Sequence, residues 1–313
     1  MSRGLGDVYK RQTFNLRGTS DSGRDIDIPA VTDENGVAIF SEIPIGTYTI
    51  YEDEKTVPTA YLVADPQNVT VTYAETKEVP IENKEKTGSI TVHKTTEGQK
   101  NIEGIKFYLR GTSDSGRAID IPATTDKDGI AKFDGVPIGT YMVIEDEETV
   151  PYGYLVADEK EVKVEYAQTI DETILNNEQT GTVKVHKKTA DMTNVEGIRF
   201  ILSGISDTGR EIRIEATTDK DGLAKFEGVP VGTYTITEDG STVPYGYLVA
   251  DSKQVTVAYA QTVDTDMVNE KAPDTPNTGV TDNDSDGSKA LCSVAIILAG
   301  AAIVMFSRKR KER

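Results

Sequence analysis

The chain has 313 residues, of which 37% are hydrophobic and 27% charged, room for two or three ordinary domains and too apolar for disorder by composition. Its formal net charge of −18 disfavours nucleic acid and anionic lipid as partners, since both need clustered lysine and arginine. The single cysteine, Cys292, leaves no intramolecular disulfide to staple an exported protein.

The opening stretch MSRGLGDVYKRQ carries basic residues but no apolar run long enough for a secretory signal. From about Thr13 the chain repeats itself. Tyr61, Tyr154 and Tyr247, each in a YLVAD word, recur at a spacing of 93 residues, as do Glu52, Glu145 and Glu238, and Phe14, Phe107 and Phe200. The three copies align without a gap and are expected at residues 13–86, 87–179 and 180–272. The first is incomplete in this register. Arg11 and Gln12 stand where Gly104 and Ile105 are expected, and the counterpart of Lys94 falls on Met1. Residues 1–12 therefore read as a non-native leader and repeat one as truncated, its first strand, a signal peptide and any intervening domains lying upstream.

Within each copy the local signals are β. In the second, TGSITVHK and GIKFYLRG read as strands, TSDSGR as a turn, AIDIPATT as a strand, DKDG as a turn, and IAKF, TYMVIED, EVKVEYA and TIDETILN as further strands. No stretch sustains a helical apolar period. About seven short strands between Gly, Asp and Pro turns predict an all-β fold of tandem Ig-like β-sandwich repeats. A polar linker follows at 273–289. Residues 290–306 are free of charge and 307–313 are basic. As a helix that run is roughly 25 Å long, the short end of a membrane span. The basic tail sets the C-terminus on the cytoplasmic side and the repeats outside.

Side-chain alternation puts three polar residues on inward faces of the strands. Lys94 shares a face with Ile90 and Val92, and Lys187 with Val183 and Val185. Glu145 follows Tyr141 and Val143, and Glu238 follows Tyr234 and Ile236. Asn176 lies with Ile174, and Asn269 with Met267. Two chemistries fit. One is a buried ion pair with a hydrogen-bonding amide, which on its own is weak evidence for stability. The other follows because burial favours uncharged amines and carboxyls. A neutral amine can attack the carboxamide carbon while a carboxyl moves protons and ammonia leaves, giving an uncharged isopeptide bond.

TVHK with EGIKFYL, the DKDGIAKF hairpin, VPIGTYMVIED with VPYGY, and the terminal LN together resemble the B-type repeats of Gram-positive collagen adhesins and the prealbumin-like domains of pilin subunits. The resemblance covers residues 13–269. It implies an intramolecular Lys to Asn bond between first and last strands, assisted by Glu: Lys94, Glu145 and Asn176 in repeat two, and Lys187, Glu238 and Asn269 in repeat three. Repeat one keeps Glu52 and Asn83 without the lysine and is expected not to crosslink.

The C-terminal end resembles a sortase cell-wall sorting signal: Thr275, Pro276, Asn277, Thr278 and Gly279, then a spacer, an apolar span and a basic tail. The resemblance implies cleavage between Thr278 and Gly279 by a sortase and covalent transfer to peptidoglycan. Thr275 stands where the family usually has leucine.

Other signals favour plain readings. His93 and His186 repeat one outward strand position, so no metal site is expected. Asp282 to Gly287 resembles the start of a calcium loop but lacks an acidic twelfth position, and reads as linker. Asn68 heads a glycosylation sequon that carries no weight in a bacterium, and Cys292 reads as a small apolar residue of the span. No cofactor motif, catalytic triad or phosphate loop is present, so no enzyme for a diffusible substrate is expected. The reading is a wall-anchored surface stalk of β-sandwiches. The alternative is an adhesin whose repeats bind a host or matrix protein directly, disfavoured because the turns of the three copies hardly differ. A polymerising pilus subunit would want a lysine in a YPK context, which VHK matches poorly.

Overall fold

The computed structural model describes residues 10–98, 102–191 and 195–273. The expected sortase motif, membrane span and basic tail lie outside the described residues, and no helix among those described is long and apolar enough to cross a membrane.

Repeat two shows the complete unit. Its strands are β5 (Thr87–Thr96), β6 (Lys106–Ser113), β7 (Ala118–Thr124), β8 (Ile130–Pro137), β9 (Gly139–Glu145), β10 (Lys160–Val164) and β11 (Thr169–Asn176). They form a four-stranded sheet in the order β10-β9-β6-β7 and a three-stranded sheet in the order β11-β5-β8. Repeat three copies this with β12 (Thr180–Thr189), β13 (Arg199–Ser206), β14 (Glu211–Thr217), β15 (Leu223–Pro230), β16 (Gly232–Glu238), β17 (Lys253–Val257) and β18 (Thr262–Asn269). Its sheets run β14-β13-β16-β17 and β15-β12-β18. In repeat one the described strands are β1 (Thr13–Thr19), β2 (Asp25–Val31), β3 (Gly46–Glu52) and β4 (Gln67–Val71), a single sheet in the order β2-β1-β3-β4.

The two sheets close over the apolar positions that alternation assigns inward. Ile90, Val92, Phe107, Leu109, Phe133, Tyr141 and Val143 are all buried in repeat two, with Val183, Val185, Phe200, Leu202, Phe226, Tyr234 and Ile236 as counterparts in repeat three. Tyr141 is too large to be buried without a partner for its hydroxyl, which donates to Pro137 O at 2.8 Å. Desolvation pushes that phenol up to about 12. The DKDG turn is held by Asp126, whose Oδ1 accepts from the amides of Asp128 and Ile130, with Gly129 at φ 74° where an L side chain is strained. Those amides hold the Asp126 carboxyl below the usual carboxylate range.

The first and last strands of each complete repeat are neighbours and run parallel, with Lys94 opposite Ile174 and Lys187 opposite Met267. Parallel neighbours cannot be joined by a hairpin; here the whole of the repeat lies between them. Close approach at the start of the first strand demands glycine. A Cβ on Gly88 would stand 2.5 Å from Glu165 O, and one on Gly181 2.6 Å from Ala258 O.

Gln12, where the repeat register calls for an apolar residue, takes the same backbone course as Ile105. Its amide donates to Thr32 Oγ1 at 2.8 Å and its carbonyl accepts from Thr32 N, as Ile105 does with Thr125. Repeat-like structure therefore already includes Gln12, and its side chain is buried.

Candidate functional site: a buried lysine, glutamate and asparagine

Lys94 leaves β5 facing the core and is only 2% exposed, and Lys187 on β12 is 3% exposed. The β-sandwich supplies each with one carboxylate. Lys94 Nζ lies 3.6 Å from Glu145 Oε1, and Lys187 Nζ lies 2.9 Å from Glu238 Oε1, all four side chains being essentially inaccessible to water. The two pairs differ in detail. Lys94 Nζ also donates to Thr95 O at 2.8 Å and Ile174 O at 3.1 Å. Lys187 has the shorter ion contact, yet that contact is too poorly aligned to count as a hydrogen bond. Burial pushes both amines below their ordinary value against the opposing pull of the glutamates, so the neutral, nucleophilic form is favoured relative to a surface lysine.

Asn176 ends β11 two residues past the partner of Lys94 and on the same face. It is fully buried. Its Nδ2 donates to Glu145 Oε2 at 2.7 Å and to Leu155 O at 2.5 Å. A main-chain carbonyl can only accept, so the contact with Leu155 fixes which end of the amide is nitrogen. In repeat three, Asn269 Nδ2 donates to Glu238 Oε2 at 2.6 Å and Leu248 O at 2.7 Å. The glutamates are held in turn by main-chain amides, Ala157 N to Glu145 Oε2 at 2.8 Å and Ala250 N to Glu238 Oε2 at 2.7 Å.

Each complete repeat thus brings together the three residues expected from alternation and the 93-residue register. The cradle from the YLVAD word was not anticipated. Its signal was the threefold repetition of those residues, but the working atoms are a main-chain carbonyl and amide. The amide oxygens of Asn176 and Asn269 are buried with no hydrogen-bond partner, while Oε1 of Glu145 and Glu238 has only its ion contact with the lysine. Orphaned acceptors in a dry interior are costly. They mark a site arranged for something other than a satisfied polar network.

Repeat one holds the acceptor half of this arrangement. Asn83 Nδ2 donates to Glu52 Oε2 at 2.6 Å and Leu62 O at 2.9 Å, and Ala64 N donates to Glu52 Oε2 at 2.7 Å. Gln12 Nε2 reaches the Asn83 amide oxygen at 3.4 Å. The lysine position is Met1, outside the described residues. His93 and His186 point outward, to Asp171 Oδ1 at 3.2 Å and Asp264 Oδ1 at 2.9 Å. Among the described residues no cluster of His, Cys, Asp or Glu is arranged to hold a metal ion.

Tandem β-sandwiches with parallel first and last strands over a buried lysine, glutamate and asparagine define a class of prealbumin-like structural repeats. The family model of the SpaA prealbumin-like fold domain matches residues 10–85, 88–179 and 181–271, and the chain belongs to that family. The family is structural rather than enzymatic. Among solved structures the chain is similar to the Bacillus anthracis TIE protein, with 21% identity and a TM-score of 0.59 over 84% of this chain and 48% of that one. It thus spans about half the length of the Bacillus protein. It also aligns with GBS52, the minor pilin of Streptococcus agalactiae, at 19% identity and a TM-score of 0.29 over 61% of this chain and 98% of that one. The shaft pilin spaA from Lactobacillus rhamnosus GG aligns at 16% identity and a TM-score of 0.28 over 61% of this chain and 100% of that one. No curated protein matches the chain.

Proposed function

We propose that the chain is a cell-wall-anchored stalk whose second and third repeats are each closed by an intramolecular isopeptide bond, Lys94 to Asn176 and Lys187 to Asn269. The observation that carries this is the buried contact chain from lysine amine to glutamate to asparagine amide, with distances of 3.6 and 2.7 Å in repeat two and 2.9 and 2.6 Å in repeat three.

The chemistry follows from the placement of the atoms. The neutral amine Nζ attacks Cγ of the asparagine, and the new C–N bond forms as the Cγ–Nδ2 bond breaks. Glu145 or Glu238, already hydrogen-bonded to Nδ2, takes the proton shed by the amine and delivers one to the departing nitrogen, so that ammonia leaves. The product is an uncharged amide, which removes the desolvation cost of the lysine and satisfies the dry interior.

The mechanical consequence concerns the strands at the two ends of a repeat. With β5 tied to β11 and β12 tied to β18, tension entering at one end of a repeat and leaving at the other passes through covalent bonds. The ladder hydrogen bonds are bypassed. Anchoring is assigned to Thr275–Gly279, with sortase joining Thr278 to peptidoglycan after the apolar run and basic tail hold the precursor at the membrane. Expression behind a secretory signal peptide in a Gram-positive host tests this: the chain is expected in the fraction released by muramidase, and Thr278→Ala is expected to move it to the membrane fraction. Equal wall recovery of both would remove the anchoring assignment.

A further inference from the structure

An isopeptide bond inside a repeat leaves the angle between repeats free. Where repeat two passes into repeat three, one residue is held by both. The main chain around Glu178 is fixed to repeat two: Leu155 N donates to Asn177 O at 2.8 Å, Gln179 N to Gly153 O at 2.7 Å, and Glu178 N to Glu97 Oε2 at 2.7 Å. The Glu178 side chain is fixed to repeat three. It accepts from the Thr208 hydroxyl and pairs with Arg210, both in the turn between β13 and β14, and is inaccessible to water. One residue on, Gln179 O accepts from Val231 N at 3.0 Å, and Val231 is 1% exposed. Turning one repeat against the other would part the buried carboxylate from its guanidinium and hydroxyl, which is costly in a dry place.

The fit is steric as well as polar. Gly153 has φ 91°, and a Cβ there would stand 2.7 Å from Thr208 Cγ2 and 3.6 Å from Val231 Cγ2. The Thr208 methyl is held in that place because its hydroxyl is engaged by Glu178 and lies 2.7 Å from Ser206 Oγ. The joint between repeats one and two has the same polar parts: Glu85 accepts from the Ser115 hydroxyl and pairs with Arg117 at 2.8 Å, and Lys86 O accepts from Ile138 N at 3.0 Å. There the small residues are exchanged. Ala60 stands in the place of Gly153, and Ser115, which has no methyl, in the place of Thr208. In repeat three the position of Glu178 is taken by Lys271, which pairs with Asp191 of its own repeat at 3.4 Å. A Cβ on Gly246, also at φ 91°, would meet no atom of the described residues within 4 Å.

We propose that Glu178, Thr208, Arg210 and Gly153 form a keyed lock that holds repeats two and three at one fixed angle, so that the pair turns as a single body. Domains of one chain move against each other by default unless their interface restrains them. Here the restraint is the buried carboxylate, shared between two repeats, and the methyl seated on a glycine. The lock stands whether or not the two isopeptide bonds form. Its consequence for a stalk is resistance to bending, which a bond inside one repeat does not supply.

The test uses the full chain with Cys292→Ser and one spin label in each repeat, at Glu161→Cys on β10 and Gln254→Cys on β17, both exposed positions. Pulsed electron spin resonance is expected to give one narrow distance distribution. Glu178→Lys, the change that repeat three carries naturally at 271, is expected to widen it about twofold or more, toward the freedom of unrestrained domains. Adding Arg210→Glu is expected to narrow it again, a recovery that a misfolded chain would not show. Gly153→Ala is expected to widen it as well, while Gly246→Ala, with the same backbone strain and no close neighbour, leaves it narrow. A broad distribution in the parent, or a narrow one in Glu178→Lys, overturns the lock. Widening that the charge swap does not reverse overturns the role of the ion pair, and equal behaviour of the two glycine variants overturns the steric key.

Discussion

Replacing Lys94 by methionine isolates the crosslink from the packing of the side chain that makes it. Methionine fills much of the same volume without charge or nucleophile, so β5 keeps its place between β8 and β11 while the bond to Asn176 is lost. The bond closes a loop from residue 94 to residue 176, and the chain-entropy relation for a crosslink of that length gives about 4.5 kcal/mol at room temperature. Spread over one repeat, that corresponds to a fall in Tm of roughly 20–35 °C. For a repeat of 93 residues the lower end of that range is the expected value. Calorimetry of the full chain is the assay, with the Lys187→Met variant assigning the transition of repeat three. The expected result is one transition moved to lower temperature in each variant and the others unmoved. A shift of less than about 3 °C in both variants, well below what the loop relation requires, would refute the reasoning.

Further outcomes follow from the same geometry. In an Asn176→Ala, Asn269→Ala variant both amines remain free and depressed relative to their ordinary value of 10.5. The unfolded chain then binds more protons than the folded one between the lowered value and 10.5, so the urea midpoint is expected to rise with pH through that interval. The parent chain, its amines consumed, should lack this rise, and parallel profiles would contradict the assignment. Gly88→Ala places a Cβ 2.5 Å from Glu165 O and is expected to cost repeat two about 1–3 kcal/mol, read as a lower melting transition. His93→Ala and His186→Ala remove only exposed contacts to Asp171 and Asp264, and are expected to change stability by less than about 0.5 kcal/mol in denaturant titrations.

Much of the architecture was legible because a strand turns each side chain by a fixed rule. Once TGSITVHK is a strand, Lys94 must share the face of Ile90 and Val92, and the 93-residue register carries the same argument to Glu145 and Asn176. What stayed hidden runs through the main chain or depends on register between distant strands. Leu155 O and Ala157 N hold the asparagine and the glutamate, yet any residue has a carbonyl and nearly any an amide. The parallel pairing of β5 with β11 likewise leaves no mark in either strand alone. The contacts of Glu85 with Ser115 and Arg117, and of Glu178 with Thr208 and Arg210, were missed because a glutamate between repeats looks like an ordinary linker residue.

The most direct measurement is the intact mass of the purified chain, followed by fragmentation of the peptides containing Lys94 and Lys187. The account predicts a chain lighter than its sequence by two ammonia molecules, with Lys94 linked to Asn176 and Lys187 linked to Asn269. A chain at full sequence mass, with both lysines recovered in linear peptides, would contradict it.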